Sequence, residues 1–207
     1  MSKKKNIVVF ASGSGSNFIS IYNHIQDQNI NGQIVLLISD KKKCGAIDFA
    51  KVNNIEIYTV QNKTFNKNIG YDVFLLNKIN SKKADLLVLA GYLKMIPNCV
   101  IANYNHKILN IHPSLLPKYG GKGFYGMNVH KAVVKSGDAI TGATIHFVDE
   151  IYDNGPIVAQ KEIIVNQLTK EKSNFHCSIR DGIEGKLLLY FRVGYVINKD
   201  IINLINF

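Results

Sequence analysis

Asn110 and His112, separated by one residue, stand where a strand-like run, Lys107 to Ile111, gives way to Pro113-Ser-Leu-Leu-Pro117. Side chains alternate along a strand, so these two point to the same face. An amide donor and an imidazole aimed at one place can stabilise a developing oxyanion and move a proton, which is the chemistry of acyl or formyl transfer. The prolines end the strand and stiffen the loop, and the Leu116-Pro117 bond is open to the cis form. A histidine in such a place also reads as a hydrogen-bonded structural imidazole.

Two further motifs carry chemistry. Asp149-Glu-Ile-Tyr-Asp-Asn-Gly-Pro156 is an acidic, turn-rich segment between two strand-like runs. A carboxylate from it that reaches His112 would favour the protonated ring and hold its tautomer, and composition does not choose among Asp149, Glu150 and Asp153. Gly155-Pro156 also suits a plain structural turn. Ser12-Gly-Ser-Gly-Ser-Asn17 lies between an apolar run and a helical stretch, where glycine lets backbone approach a ligand and a helix N-terminus offers unpaired N–H groups. It lacks the Gly-Lys-Ser/Thr of a Walker A loop, and Phe18 occupies the third glycine position of a dinucleotide fingerprint. A single phosphate is the better ligand, although Ser16 or Asn17 could equally serve as a helix cap.

The elements that must position these residues follow from periodicity. Apolar, β-branched runs at Asn6 to Phe10, Gln33 to Ser39, Ile55 to Thr59 and Ala84 to Ala90 alternate with helical patterns at Phe18 to Ile25, Ala46 to Val52 and Tyr71 to Ile79. That alternation implies parallel strands joined by crossover helices. Ile34 to Ile38 and Leu86 to Leu89 are apolar at successive positions, as strands covered on both faces are. Beyond Ala90 the pattern predicts a glycine-rich loop, a helix near Asn128 to Lys135, strands at Ala143 to Val148 and Ile157 to Val165, a more antiparallel sheet, and a last helix through Leu187 to Tyr190.

Composition narrows the class. The 207 residues are 46% hydrophobic, enough for one core. Cys44, Cys99 and Cys177 are scattered without ligand spacing, which argues against disulfides or structural zinc and for a reducing, cytoplasmic compartment. The run Ile7 to Phe10 is too short for a signal core or a membrane span. A net charge of +10 is spread along the chain rather than gathered in a patch, and Lys41 to Lys43 and Lys82-Lys83 read as solvated charges. Neither nucleic acid nor membrane is expected as a partner.

The chemistry-bearing motifs, in this order, closely resemble the phosphoribosylglycinamide formyltransferase family of purine biosynthesis. The match rests on Gly13-Ser-Gly-Ser-Asn17, Leu89-Ala-Gly-Tyr92, Asn110-Ile-His-Pro-Ser-Leu-Leu-Pro-Lys-Tyr119, Gly142-Ala-Thr-Ile-His-Phe-Val148 and Asp153-Asn-Gly-Pro156, and it covers Asn6 to about Val165. The resemblance implies transfer of a formyl group from 10-formyltetrahydrofolate to the glycinamide amine, with no metal and no covalent enzyme intermediate. It implies Asn110 as hydrogen-bond donor to the formyl oxygen, His112 as charge stabiliser and proton donor, and Asp153 as the carboxylate that keeps His112 protonated and relays the amine proton. Gly15, Ser16, Asn17 and Phe18 match the phosphate segment, Glu184 an acidic residue near the ribose, and Leu93, Lys94, Met95 and Ile96, with Asn110, the folate site.

Departures from the pattern bear on folate. Lys94 stands where many members have Arg, and Val73 falls near a position where members can place another. The Gly120 to Gly126 loop is longer than in some members and suits a mobile cover over the phosphate site. Hydrolysis of formyl-folate and methionyl-tRNA formylation are the neighbouring activities. The first branch carries an N-terminal regulatory domain, for which no room is expected before Ile7, and the second a C-terminal RNA-binding domain longer than 165–207. A noncatalytic folate- or nucleotide-binding module would lack Asn110, His112 or Asp153, and all are present.

The expected molecule is a single α/β domain over 1–207 with a Rossmann-like formyltransferase fold. Its central sheet is mainly parallel, with about seven strands, and mixed toward the C-terminal half. Residues 1–100 form the nucleotide- and phosphate-binding half and 101–207 the catalytic and folate-binding half. The expected partners are the two small-molecule substrates, and the expected assembly a monomer or weak homodimer.

Overall fold

A computed structural model describes residues 3–60 and 70–164. Within them the chain alternates as read: β1 (Lys5–Phe10), α1 (Ser16–Gln26), β2 (Gly32–Ser39), α2 (Gly45–Val52), β3 (Ile57–Thr59), α3 (Tyr71–Ser81) and β4 (Leu86–Leu89). There follow α4 (Asn98–Asn103), β5 (Ile108–His112), α5 (Met127–Ser136), β6 (Ile140–Phe147) and β7 (Ile157–Ile164). The strands form one seven-stranded sheet in the order β3-β2-β1-β4-β5-β6-β7. Pairing is parallel from β3 to β5 and antiparallel for β5–β6 and β6–β7.

Alternation along the central strands divides the apolar side chains between two cores. Ile7, Val9, Leu37, Val88, Leu109 and Ile111 pack with Phe18 and Ile21 of α1 and Ala46, Ile47 and Ala50 of α2. Val8, Phe10, Leu36, Ile38, Leu87 and Ile108 pack on the other face with Leu75 and Ile79 of α3 and Val100 and Ile101 of α4. Each fully buried side chain of this kind contributes roughly 1.5–3 kcal/mol. Ile108 belongs to the second face, so Asn110 and His112, two and four residues on, continue that face beyond the core at the carboxyl end of β5.

Four details differ from the sequence reading. Helix α4 went unread because its six residues are too few to show a helical period. Ile55 is not in β3, since its N–H bonds Ala50 O and closes α2 instead. Strand β6 starts at Ile140 rather than Ala143 because Gly142 does not end it: a Cβ there would fall 2.0 Å from Lys161 O, so glycine lets β7 run close. Lys82 is not merely solvated, for it joins Lys78 in gripping the Glu56 carboxylate. The Leu116-Pro117 peptide is cis. Glu184, Cys177 and the expected helix at Leu187 to Tyr190 lie outside the described residues.

Candidate active site

The β5–β6 ladder sets the centre of the site. Asn110 lies opposite His146 and His112 opposite Thr144. His146 Nδ1 donates to Phe147 O at 2.8 Å, so in the neutral ring Nε2 is an acceptor and receives the Asn110 amide at 3.0 Å. This pairing fixes which end of the Asn110 amide carries its hydrogens. The second amide hydrogen points at Asp153 Oδ1, 3.3 Å away.

Asp153 holds the cluster together. Its Oδ1 lies 3.4 Å from His112 Nδ1 and 3.6 Å from His146 Nε2, while Oδ2 accepts the Gly121 N–H at 2.9 Å. Its backbone adopts φ +53°, an uncommon conformation for a residue other than glycine that turns the carboxylate back over β5. Burial pushes this carboxyl upward, but the hydrogen bonds from His112 and the Gly121 N–H outweigh it and hold the group well below the usual carboxylate range. His112 Nε2 donates to Tyr119 O at 2.8 Å, so both its ring nitrogens face oxygen acceptors and an imidazolium there has both N–H groups satisfied. Of the three acidic residues left open by composition, Asp153 is the one at His112. Asp149 instead accepts from Ile151 N and Asn154 Nδ2, and Glu150 is exposed.

Around this cluster lies a cleft of about 350 Å³ that reaches from Asn17 past Asn110 and His112 to Leu93–Ile96 and Val148–Asp153. Gly15, at the head of α1, has φ +81°, and a Cβ there would lie 2.8 Å from Ala46 Cα. No side chain caps α1, so the capping alternative for Ser16 and Asn17 does not hold, and the first N–H groups of the helix are left for a ligand. Asn17 Oδ1 is buried without a hydrogen-bond partner. Phe18 is wholly buried in edge contact with Phe49, so only its backbone N–H remains for an anion.

Leu93 N–H bonds Ser12 Oγ at 3.1 Å and ties the Leu93 loop to the cradle loop. Leu93 and Met95 are exposed, Lys94 is half-buried and Ile96 is buried in the second core. Val73 sits exposed on α3 and does not line the cleft. The sequence reading passed over His146, the Gly121 N–H and the Tyr119 carbonyl. For His146 the signals were its place in the Gly142–Val148 motif and its alternate position along β6, neither of which gives a role, and main-chain groups carry no residue-type signal. Among the described residues no cluster of His, Cys, Asp and Glu is arranged to hold a metal ion.

The family described as formyl transferase matches residues 5–188. The chain is 33% identical over 163 residues to phosphoribosylglycinamide formyltransferase of Bacillus subtilis, covering 79% of this chain and 81% of that protein. This chain is a member of the formyl transferase family, in its phosphoribosylglycinamide formyltransferase branch. It is 42% identical over 172 residues to the chloroplastic phosphoribosylglycinamide formyltransferase of Arabidopsis thaliana, which covers 82% of this chain but only 59% of the plant protein. The chain thus spans little more than half the length of its plant relatives. Among solved structures, glycinamide ribonucleotide transformylase 1 from Geobacillus kaustophilus is similar with a TM-score of 0.79 at 28% identity, covering 98% of this chain and 99% of that one. The seven-stranded mixed sheet is the Rossmann-like fold of this family.

Proposed function

We propose that this chain transfers the formyl group of 10-formyltetrahydrofolate to the amine of 5-phosphoribosylglycinamide, giving the N-formyl product and tetrahydrofolate. The observation that carries this reading is the meeting of Asn110, His112 and Asp153 in one cleft. Asn17 of the anion cradle and the Leu93–Ile96 segment line the same cleft. Gly15, Ser16, Asn17 and the Phe18 N–H receive the phosphate, and Leu93, Lys94, Met95 and Ile96 receive the pterin, the exposed Leu93 and Met95 walling its ring.

In this scheme the amine adds to the formyl carbon and a new C–N bond forms. The formyl oxygen, as it gains charge, takes the Asn110 N–H that now makes the longer contact to Asp153, and imidazolium His112 stabilises it further. The amine proton leaves through the Asp153–His112 pair. As the old C–N bond breaks, the folate nitrogen accepts a proton in return, so the exchange is neutral. His146 is a positioning residue that presents the Asn110 amide, and Tyr119 O orients His112.

The two halves, 1–100 and 101–207, divide the work as phosphate cradle and catalytic and folate side. A cytoplasmic location, small-molecule partners without nucleic acid or membrane, and a monomer or weak homodimer complete the proposal. Among the described residues no helix is long and apolar enough to cross a membrane.

The test mixes the purified protein with glycinamide ribonucleotide and 10-formyltetrahydrofolate and follows tetrahydrofolate release, with His112→Ala and no-acceptor controls. Acceptor-dependent release that collapses in the variant supports the reading. Release without acceptor points to hydrolysis, and binding without release to a noncatalytic module.

A further inference from the structure

A phosphate dianion in the cradle would meet main-chain N–H groups and hydroxyls, but Gly13 to Phe18 contains no cation. Phosphate sites at helix N-termini gain strength and geometry from a neighbouring Lys or Arg. Among the described residues two lysines line the cleft, Lys94 and Lys122. Lys94 belongs to the segment assigned to folate, which leaves Lys122.

The backbone around Lys122 is built rather than loose. Phe124 N–H bonds Gly121 O at 3.1 Å, closing a turn with Lys122 at its corner and Gly123 at φ +97°, the position where a type II turn requires glycine. The residue before Lys122 is held by Asp153 through the Gly121 N–H at 2.9 Å, and the residue after it by Asn128, whose Nδ2 donates to Gly123 O at 3.2 Å. The lysine ion pairs among the described residues are made by Lys41, Lys78, Lys82 and Lys118, so the exposed Lys122 is not committed to a carboxylate there. Asn17 of the cradle and Lys122 line the same cleft.

We propose that Lys122 is a binding residue for the phosphate of the acceptor, presented by a turn that is anchored on the catalytic Asp153; this rests on the transfer reaction proposed above. The anchor couples the loop to the cluster, because the turn that carries Lys122 also supplies the Gly121 N–H that Asp153 Oδ2 accepts. Lys122 does no chemistry, so its signature is in acceptor affinity and not in turnover.

The experiment compares wild type, Lys122→Met and Lys122→Arg with glycinamide ribonucleotide, with the dephosphorylated riboside, and with mono- and polyglutamylated formyl-folate. The expected result for Lys122→Met is a KM for the ribonucleotide raised about ten- to a hundredfold, the range for a lost charge-assisted hydrogen bond, with kcat, the riboside reaction and the folate KM unchanged. Lys122→Arg restores most of the affinity. Equal losses on ribonucleotide and riboside, no loss on either, or a folate KM that rises with glutamate number each overturn the proposal, the last by placing Lys122 on the folate tail. Calorimetric titration of the same proteins with ribose 5-phosphate needs no turnover. Lys122-dependent binding in a wild type that transfers no formyl group keeps this site and removes the reaction, whereas Lys122-independent binding removes the site.

Discussion

The proposed anion cradle and the proposed catalytic cluster share one cleft and are built on opposite principles. In the cradle the useful groups are main-chain N–H donors at the start of α1. Phe18 spends its side chain on the core, while Gly15 supplies a left-handed backbone and room for Ala46. In the cluster every useful group but the Gly121 N–H and the Tyr119 carbonyl is a side chain, and each has two or more partners: Asn110 holds His146 and Asp153, and Asp153 holds His112, Asn110 and the Gly121 N–H. The difference is where tolerance lies. A cradle of backbone resists changes of side chain and fails when a Cβ is added, whereas a cluster of side chains fails when any one of them is shortened.

The sharpest break of this contrast is in turnover. Asn110→Ala removes the donor offered to the developing oxyanion and leaves His146 Nε2 and Asp153 Oδ1 each short of a hydrogen bond. In single-turnover kinetics kcat is expected to fall roughly a hundred- to a thousandfold, the usual cost of one such donor, with the acceptor KM little changed. A loss seen mainly in KM would mean that Asn110 serves binding and that the cluster is no different in kind from the cradle.

The next effect reads the cluster through its pH dependence. His130 on α5 is fully buried, and burial, then the charge of His112, lowers its pKa to about 4. Unfolded, the ring takes a proton near pH 6.5, so the unfolded state binds more protons between these values. Stability is therefore full above about pH 6.5 and falls as pH drops toward 4, by about 3 kcal/mol in all. Below about pH 4 a second loss begins as Asp153, whose folded pKa is depressed, comes to be protonated. Urea unfolding across this range is expected to show both windows in the wild type and only the lower one in His130→Leu. Persistence of the upper window in the variant would assign it to another group and detach α5 from the cluster's electrostatics.

How much of this was legible in the sequence depends on the distance over which each feature is encoded. Strands and helices of the first half are written in local period, and Asn110 and His112 share a face by simple alternation, so both were readable. The Asn110–His146 pair depends on the register of β5 against β6 across a loop and a helix, which no local pattern records. Composition left Asp153 open beside Asp149 and Glu150 and the family resemblance chose it, but the physical reason, the positive φ that turns this carboxylate inward and the local bonds that occupy Asp149, is not written in residue type. The start of β6 ahead of Ala143 was not readable, because the purpose of Gly142, the close approach of Lys161 O, is visible only when β7 is in place.

On the cradle side the largest expected effect comes from a single methyl group. Gly15→Ala meets both a backbone at φ +81° and Ala46 Cα at 2.8 Å. Left-handed backbone alone costs about 1 kcal/mol or more for a residue with a Cβ, and the overlap adds a comparable amount, so roughly 2 kcal/mol of stability is expected to go. The shift of α1 against α2 that relieves the clash is expected to raise the KM for glycinamide ribonucleotide while sparing kcat at saturation. An unchanged melting temperature and KM would show that the cradle does not depend on this backbone.

The smallest effect is the most diagnostic. Ser16→Ala alters a half-buried residue in the first turn of α1, directly beside the N–H groups that the cradle offers, and no side chain caps this helix. If the cradle is made of backbone, losing the hydroxyl leaves its donors in place and improves local helix propensity, so stability is expected to change by less than about 0.5 kcal/mol. The ribonucleotide KM should rise by a factor of about five at most, the cost of one neutral hydrogen bond. That value separates two designs. A larger loss, approaching that of Gly15→Ala in KM but without its loss of stability, would show that the serine hydroxyl reads the phosphate directly, and the cradle would then be a side-chain site like the cluster across the cleft.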